Sequence, residues 1–273
     1  MFSYNDIEVD GFGISPSSIG KFFNYPKLWA EEHILGEEGF KGSTGSVLGS
    51  VVHGGLEQYL KGNLDSQEDK DTFNTKVEEY IDEMYKEIDD LDTDIILGNY
   101  KPMIMSTVDS LNNLNLIGGH SEVPMKLELE KGYWLKGTAD YILSCKDLNG
   151  NIVSGTVYDW KTTSSLSAPK EINFGYLIQS LAYAKMANAN GYNIDRICIG
   201  YITRHNVGRI SEKTGKLMKD YVSTFTPLYH QITQDDWDML DDTLQLMIDS
   251  IKLVKEHPEY LHIVFKSMEL KQK

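Results

Sequence analysis

Apolar and polar positions along this chain change period near residue 120. Before that point the spacing is helical. Ser15-Pro16 offers an N-cap and a first helical position, and Ile19, Phe22 and Phe23 follow, then Leu28 and Trp29 past Pro26. Gly45 to Leu60 reads as a helix despite its glycines, with Gly49, His53 and Glu57 stacked on one face by their four-residue spacing. Phe73 to Ile96 predicts one long amphipathic helix through Val77, Ile81, Met84 and Ile88, and Met103 to Leu114 predicts another.

After residue 120 the pattern becomes that of strands. Val123 to Leu129 alternates, Gly132-Tyr133 predicts a turn, and Trp134 to Leu143 a second strand. Asn149-Gly150 is a hairpin signal leading into a third strand, Ile152 to Trp160. A helix over Phe174–Ala189 and a strand over Arg196–Thr203 come next. Tyr221 to Phe225 suits an edge strand, and Trp237 to Val254 an amphipathic helix covering the sheet. Helices followed by strand-strand-strand-helix-strand predict an α/β fold, a central mixed sheet flanked by helices behind a helical N-terminal region. With 273 residues, a single domain over 1–273 is expected, with a helical arm at about 65–117 and a core at about 120–225.

Charge refines this picture. The net charge of −15 argues against a polyanionic partner, but it is unevenly spread. Asp65 to Asp94 holds thirteen acids against three lysines, whereas Arg196 to Lys219 holds six Lys or Arg against one Glu. A basic surface on the second segment can meet phosphates while the first faces solvent. No apolar run is long enough to cross a bilayer, and no secretory leader is visible, so a bacterial cytoplasm is the expected location.

The candidate chemistry lies between Lys136 and Tyr183. Asp140 ends one apolar segment, and Asp159 and Lys161 end another nineteen residues later. Strand alternation puts Asp159 and Lys161 on one face and Trp160 on the other. A hairpin would bring Asp140 beside Asp159, giving two carboxylates and an amine at one sheet edge. Oxygen ligands of this kind suit Mg2+ or Mn2+ and phosphodiester hydrolysis. The sequence has no His-Glu-x-x-His or Cys-x-x-Cys zinc pattern, no Gly-x-x-x-x-Gly-Lys-Ser/Thr phosphate loop and no Gly-x-Ser-x-Gly elbow. Glu122, just before the first strand, is a further acid within reach of the same place.

The motifs occur in the order of a known family. Ser15 to Ile19 with Phe23 and Trp29, Gly49-x-x-x-His53, Gly137-x-x-Asp140, Asp159-Trp160-Lys161-Thr162 and Gln179-x-x-x-Tyr183 together resemble the RecB-like and phage-exonuclease branch of the PD-(D/E)XK nuclease superfamily. The resemblance covers roughly residues 14 to 205. It implies a restriction-endonuclease-like core and a metal-dependent DNA nuclease, an exonuclease of recombination or repair. It also implies that His53, Asp140, Asp159 and the Trp160 carbonyl hold Mg2+ or Mn2+, and that Lys161 assists the attacking water. Gln179 and Tyr183 would touch the DNA strand or the lysine. Some relatives carry an iron–sulfur cluster on four cysteines. This chain has only Cys145 and Cys198, with Tyr25 at the early position, so no cluster is expected. Arg204 and Arg209, beyond the last core strand, are expected to contact DNA in a groove leading to Asp140 and Asp159. The expected partners are DNA and a recombination partner protein, and two alternatives for the function are a catalytically silent DNA-end-binding or assembly module on the same fold and a restriction-like endonuclease.

Overall fold

The computed structural model describes residues 7–39, 41–146, 149–165, 167–205, 215–217, 220–261 and 264–265. A three-residue strand, β1 (Phe12–Ile14), leads into α1 (Pro16–Asn24) and α2 (Pro26–His33). Then come α3 (Thr44–Leu60), α4 (Gln67–Glu87) and α5 (Thr93–Asn113). Strands β2 (His120–Glu130), β3 (Tyr133–Lys146) and β4 (Ile152–Thr163) follow. The chain continues through α6 (Phe174–Ala189), β5 (Arg196–Thr203), β6 (Phe225–Gln231) and α7 (Gln234–Glu256).

The strands form one six-stranded mixed sheet in the order β1-β3-β4-β5-β6, with β2 on the other side of β3. Strand β4 runs antiparallel to β3 and parallel to β5, and α6 makes the crossover between β4 and β5. Two apolar layers sandwich the sheet. On one face α1, α2, α6 and α7 bury Ile19, Phe22, Trp29, Leu181, Met247 and Ile251 against Leu135, Val157 and Ile197. On the other, α3, α4 and α5 bury Val52, Leu56, Val77 and Met103 with Tyr141, Tyr158, Trp160 and Phe225. The acidic segment therefore packs as a layer: α4 turns Phe73, Val77 and Ile81 inward.

One gap in the sheet matters for function. Along one edge of β3, β1 pairs with Tyr133–Leu135 and β4 pairs from Tyr141 onward. Residues 136–140 thus lie between the two neighbours on that edge, while their opposite edge pairs with β2. The inward face also changes there. Leu135 and Ala139 point into the first core, but Tyr141 points into the second and Ile142 into the first. Strict alternation is broken at Asp140.

Several boundaries differ from the sequence reading. The long helix expected over 73–96 is two helices. Asp90 turns into the left-handed region at φ 59°, and the Asp92 side chain caps α5 by accepting from the Ile95 N–H. The second helix expected at 103–114 is the later part of that same α5. The first helical region is broken at Tyr25, where Pro26 begins α2. Ser15 stands at the α1 N-cap position but makes no side-chain cap. The edge strand lies at 225–231 instead of 221–225, because pairing with β5 begins at Ile202–Phe225. Asp140 and Asp159 sit inside long strands, not at their ends.

Candidate active site

Six of the side chains singled out in the sequence surround the gap in the sheet. A cavity of about 530 Å³ is lined by His53 from α3, Lys136, Gly137, Thr138 and Asp140 from β3, Asp159 and Lys161 from β4, and Gln179 and Tyr183 from α6. Ile7, Ser15 and Ser17 close it from the N-terminal side.

Register explains how the two aspartates meet. The last backbone pairs of β3 and β4 are Ile142–Val157 and Tyr141–Tyr158, so the next step sets Asp140 opposite Asp159. There the ladder is continued by a side chain: Asp140 Oδ2 accepts the Trp160 N–H at 2.7 Å. Both carboxylates are buried, at 8% and 3% exposure.

Lys161 lies on the same face as Asp159 and turns back toward it. Its Nζ donates to Asp159 Oδ1 at 2.9 Å and to Gln179 Oε1 at 3.3 Å. Gln179 Nε2 closes the triangle by donating to the same Asp159 oxygen at 3.1 Å. Gln179 is thus engaged with the carboxylate and lysine, whereas Tyr183, one turn on, borders the cavity.

His53 is brought in by α3. Gly49, one turn earlier, lets that helix lie against β4, since a Cβ there would come 3.3 Å from Thr162 Oγ1. His53 Nδ1 stands 3.5 Å from Asp140 Oδ1, an ion-pair contact without hydrogen-bond geometry. The Trp160 side chain is in the second core, stacked on Tyr141 at 6.0 Å. Only its backbone faces the site.

Glu122 lies within β2 and not before the strand, where the sequence had set it. Val123 pairs with Ala139 and Ser121 with Tyr141, which sets Glu122 opposite Asp140. Its backbone is left-handed, φ 49°, a conformation that costs a non-glycine residue about 1–2 kcal/mol.

These groups set one another's charge. Burial opposes ionisation of Asp140, but His53, Lys161 and the Trp160 N–H outweigh it and hold the carboxyl below the usual range. Burial dominates at Asp159 and pushes it up to about 6, against the pull of Lys161. For Lys161, burial favours loss of the proton, yet Asp159 and Asp140 together raise it, so the amine stays an ammonium. Burial likewise disfavours the charged His53, and Asp140 reverses that. Glu122 is pushed up to about 8, first by burial and then by the charges of Asp140 and Glu57.

The family model of the PD-(D/E)XK nuclease superfamily matches residues 13–257. The chain belongs to that superfamily. Its nuclease fold is shared with a solved protein from Eubacterium rectale, described as a candidate exonuclease. That match is 17% identical with a TM-score of 0.50, over 90% of this chain and 82% of that one. Another solved structure, SSO0001, matches at 13% identity and a TM-score of 0.40, over 89% of this chain and 79% of that one. No curated protein matches the sequence.

PD-(D/E)XK nucleases generally work with divalent metals, and the two buried carboxylates here fit a hard cation in kind, with the imidazole as a softer donor beside them. His53 Nδ1 and Asp159 Oδ2 are buried without a hydrogen-bond partner among the described residues, although Lys161 Nζ lies 2.8 Å from the latter as an ion pair. Among the described residues, no three His, Cys, Asp or Glu side chains stand close enough together to enclose an ion as they are.

Of the expected DNA contacts, Arg204 is described and Arg209 lies outside the described residues. Arg204 follows β5, with its N–H bonded to the Thr163 carbonyl at 3.0 Å. Its guanidinium reaches the first turn of α3, where a Cβ on Gly45 would come within 3.0 Å of it. A crevice lined by Ser46, Gly49, Ser50, Lys161 and Thr162 connects that turn with His53. Lys136, Thr138, Ser15 and Ser17 lie in stretches the sequence singles out but were not read from it as site residues. Lys136 could have been flagged as a cation four residues before Asp140.

Proposed function

We propose that this protein is a Mg2+- or Mn2+-dependent deoxyribonuclease that degrades DNA from an end. The observation that carries the proposal is the opposition of Asp140 and Asp159, with the Lys161 ammonium held on Asp159, at the gap between β1 and β4. Asp140, Asp159, His53 and the Trp160 carbonyl would hold the cation, which when bound lowers the pKa of a coordinated water and neutralises phosphate charge.

The chain's own residues supply the rest. Lys161, kept protonated by its two carboxylate neighbours, donates to the negative charge that develops on the scissile phosphate. Asp159 and Gln179 hold that amine in place. Arg204, against the first turn of α3, takes a phosphate of the same strand. The cavity is bounded by the N-terminal segment through Ile7, whose carbonyl accepts from Lys136 Nζ at 3.0 Å. A walled site of this kind suits a strand terminus better than an uninterrupted duplex.

The test compares linear DNA with covalently closed circles of the same sequence, in Mg2+ or Mn2+. Degradation of linear DNA alone is expected. Cutting of both would make the protein an endonuclease, and binding of ends without metal-dependent cleavage would make it a silent end-binding module.

A further inference from the structure

Lys161 has a third neighbour that the Asp-x-Lys and Gln-x-x-x-Tyr motifs do not include. Its Nζ lies 4.9 Å from the centroid of the Tyr176 ring, over the ring face. Tyr176 is one helical turn before Gln179 on α6, so both residues reach Lys161 from the same helix. Its backbone is fixed by the helix cap: Asn173 Oδ1 accepts the Tyr176 N–H at 2.9 Å.

A second ring stands beside the first. Tyr201 is the register partner of Lys161 in the parallel β4–β5 ladder, and its ring centroid lies 6.4 Å from that of Tyr176. Tyr201 is 2% exposed, and its hydroxyl has no hydrogen-bond partner among the described residues. The amine of Lys161 thus meets Asp159 and Gln179 as acceptors and the face of Tyr176 as an aromatic wall.

We propose that Tyr176, packed beside Tyr201, is a positioning residue that acts through Lys161 by confining its ammonium to the side of Asp159. The proposal rests on the reading of Lys161 as the amine of a nuclease site. A lysine side chain has four rotatable bonds, and the hydrogen bonds of its ammonium to Asp159 and Gln179 restrain it on two sides and leave another open. The negative face of a ring attracts a cation and excludes water from that side. The amine is then already in place when charge develops on the substrate, and this pre-organisation appears in the rate of the chemical step more than in binding.

The experiment replaces Tyr176 with Phe, with a series of increasingly fluorinated phenylalanines, and with Leu. Single-turnover cleavage, DNA affinity and thermal stability are measured for each, together with the NMR shift of the Lys161 ε-methylene. Fluorination drains the ring face without changing its shape, so the variants remain folded even if Leu does not. Phe should cleave like the unaltered protein. The fluorinated series should lose rate stepwise, reaching about 3- to 30-fold, with DNA affinity unchanged. In the unaltered protein the Lys161 ε-methylene should be shifted upfield by the ring current.

A flat rate across the fluorinated series, or a Lys161 ε-methylene without a ring-current shift, overturns the proposal. A loss shared equally by Phe, or matched by lost affinity, also overturns it by assigning Tyr176 to the substrate. If the unaltered protein cleaves no DNA, the nuclease reading fails, while the shift still decides whether Tyr176 confines the lysine.

Discussion

Asp140 and Trp160 are joined side chain to backbone, at 2.7 Å, where the β3–β4 ladder runs out. One carboxyl group therefore has two tasks. It completes the pairing of a buried strand, and it presents a charge to the cavity. Substitution separates these. Asp140→Asn keeps an oxygen that can accept the Trp160 N–H, so its melting temperature should stay near that of the unaltered protein while DNA cleavage is lost. Asp140→Ala leaves the buried N–H unpaired, at a cost of about 1–3 kcal/mol. Thermal unfolding of the two variants side by side checks this: Ala should melt clearly below Asn, and equal melting points would mean that the bond contributes nothing.

Lys161 makes its polar contacts to Asp159 and Gln179. Lys161→Ala should slow cleavage by about 10²- to 10³-fold while DNA binding is largely kept, since the ammonium acts on charge that appears in the transition state. Gln179→Leu should produce a smaller loss of the same kind. The readouts are single-turnover rates and filter binding; a variant that cleaves normally once bound would make the lysine structural.

How much of this could be read from the sequence depended on the range of the relationship. Asp159, Lys161, Gln179 and Tyr183 follow from the periods of one strand and one helix, and the pattern places them without a partner strand. The opposition of Asp140 to Asp159 needed only the hairpin. By contrast, Glu122 faces Asp140 through the β2–β3 register, and Tyr201 meets Lys161 through the β4–β5 register. Cross-strand register depends on pairing that no local pattern announces. Tyr176 was within reach of helical periodicity, but aromatic residues on such a helix read first as core. The three residues of β1 are too few to show a period, and the break at Asp90 hides within a continuous apolar stripe because the left-handed turn was made by an aspartate and not a glycine.

Arg204 stands at the end of β5 against the first turn of α3. If it takes a phosphate, Arg204→Ala should reduce the slope of log affinity against log salt by about 0.7–0.9. Affinity for linear DNA measured across salt concentrations tests this. An unchanged slope would put the DNA backbone on another surface.

Helix α7 covers one face of the sheet and is held at its start by Thr233. The Thr233 hydroxyl accepts the Asp236 N–H and donates to Asp236 Oδ2, which His230 Nε2 also contacts at 2.9 Å. Burial opposes ionisation of Asp236, but these hydrogen bonds outweigh it and hold its carboxyl below the usual value. A depressed carboxyl stabilises the fold above its unfolded pKa of about 3.9, and that stability is lost as the pH falls through the folded value. Thr233→Ala should thus cost about 1 kcal/mol at neutral pH. Denaturant titrations of both proteins should show the difference shrinking below about pH 4; a difference independent of pH would remove Asp236 from the cap.

The central claim is that Asp140 and Asp159 form one metal-dependent hydrolytic site, and its most direct measurement is nucleotide release from end-labelled linear DNA by the unaltered protein and by Asp159→Asn. With Mg2+ or Mn2+ present, the unaltered protein should release nucleotides and should stop when the metal is chelated, and the folded Asp159→Asn variant should release none while still binding DNA. Equal release by the two proteins, or release that survives chelation, would contradict the account.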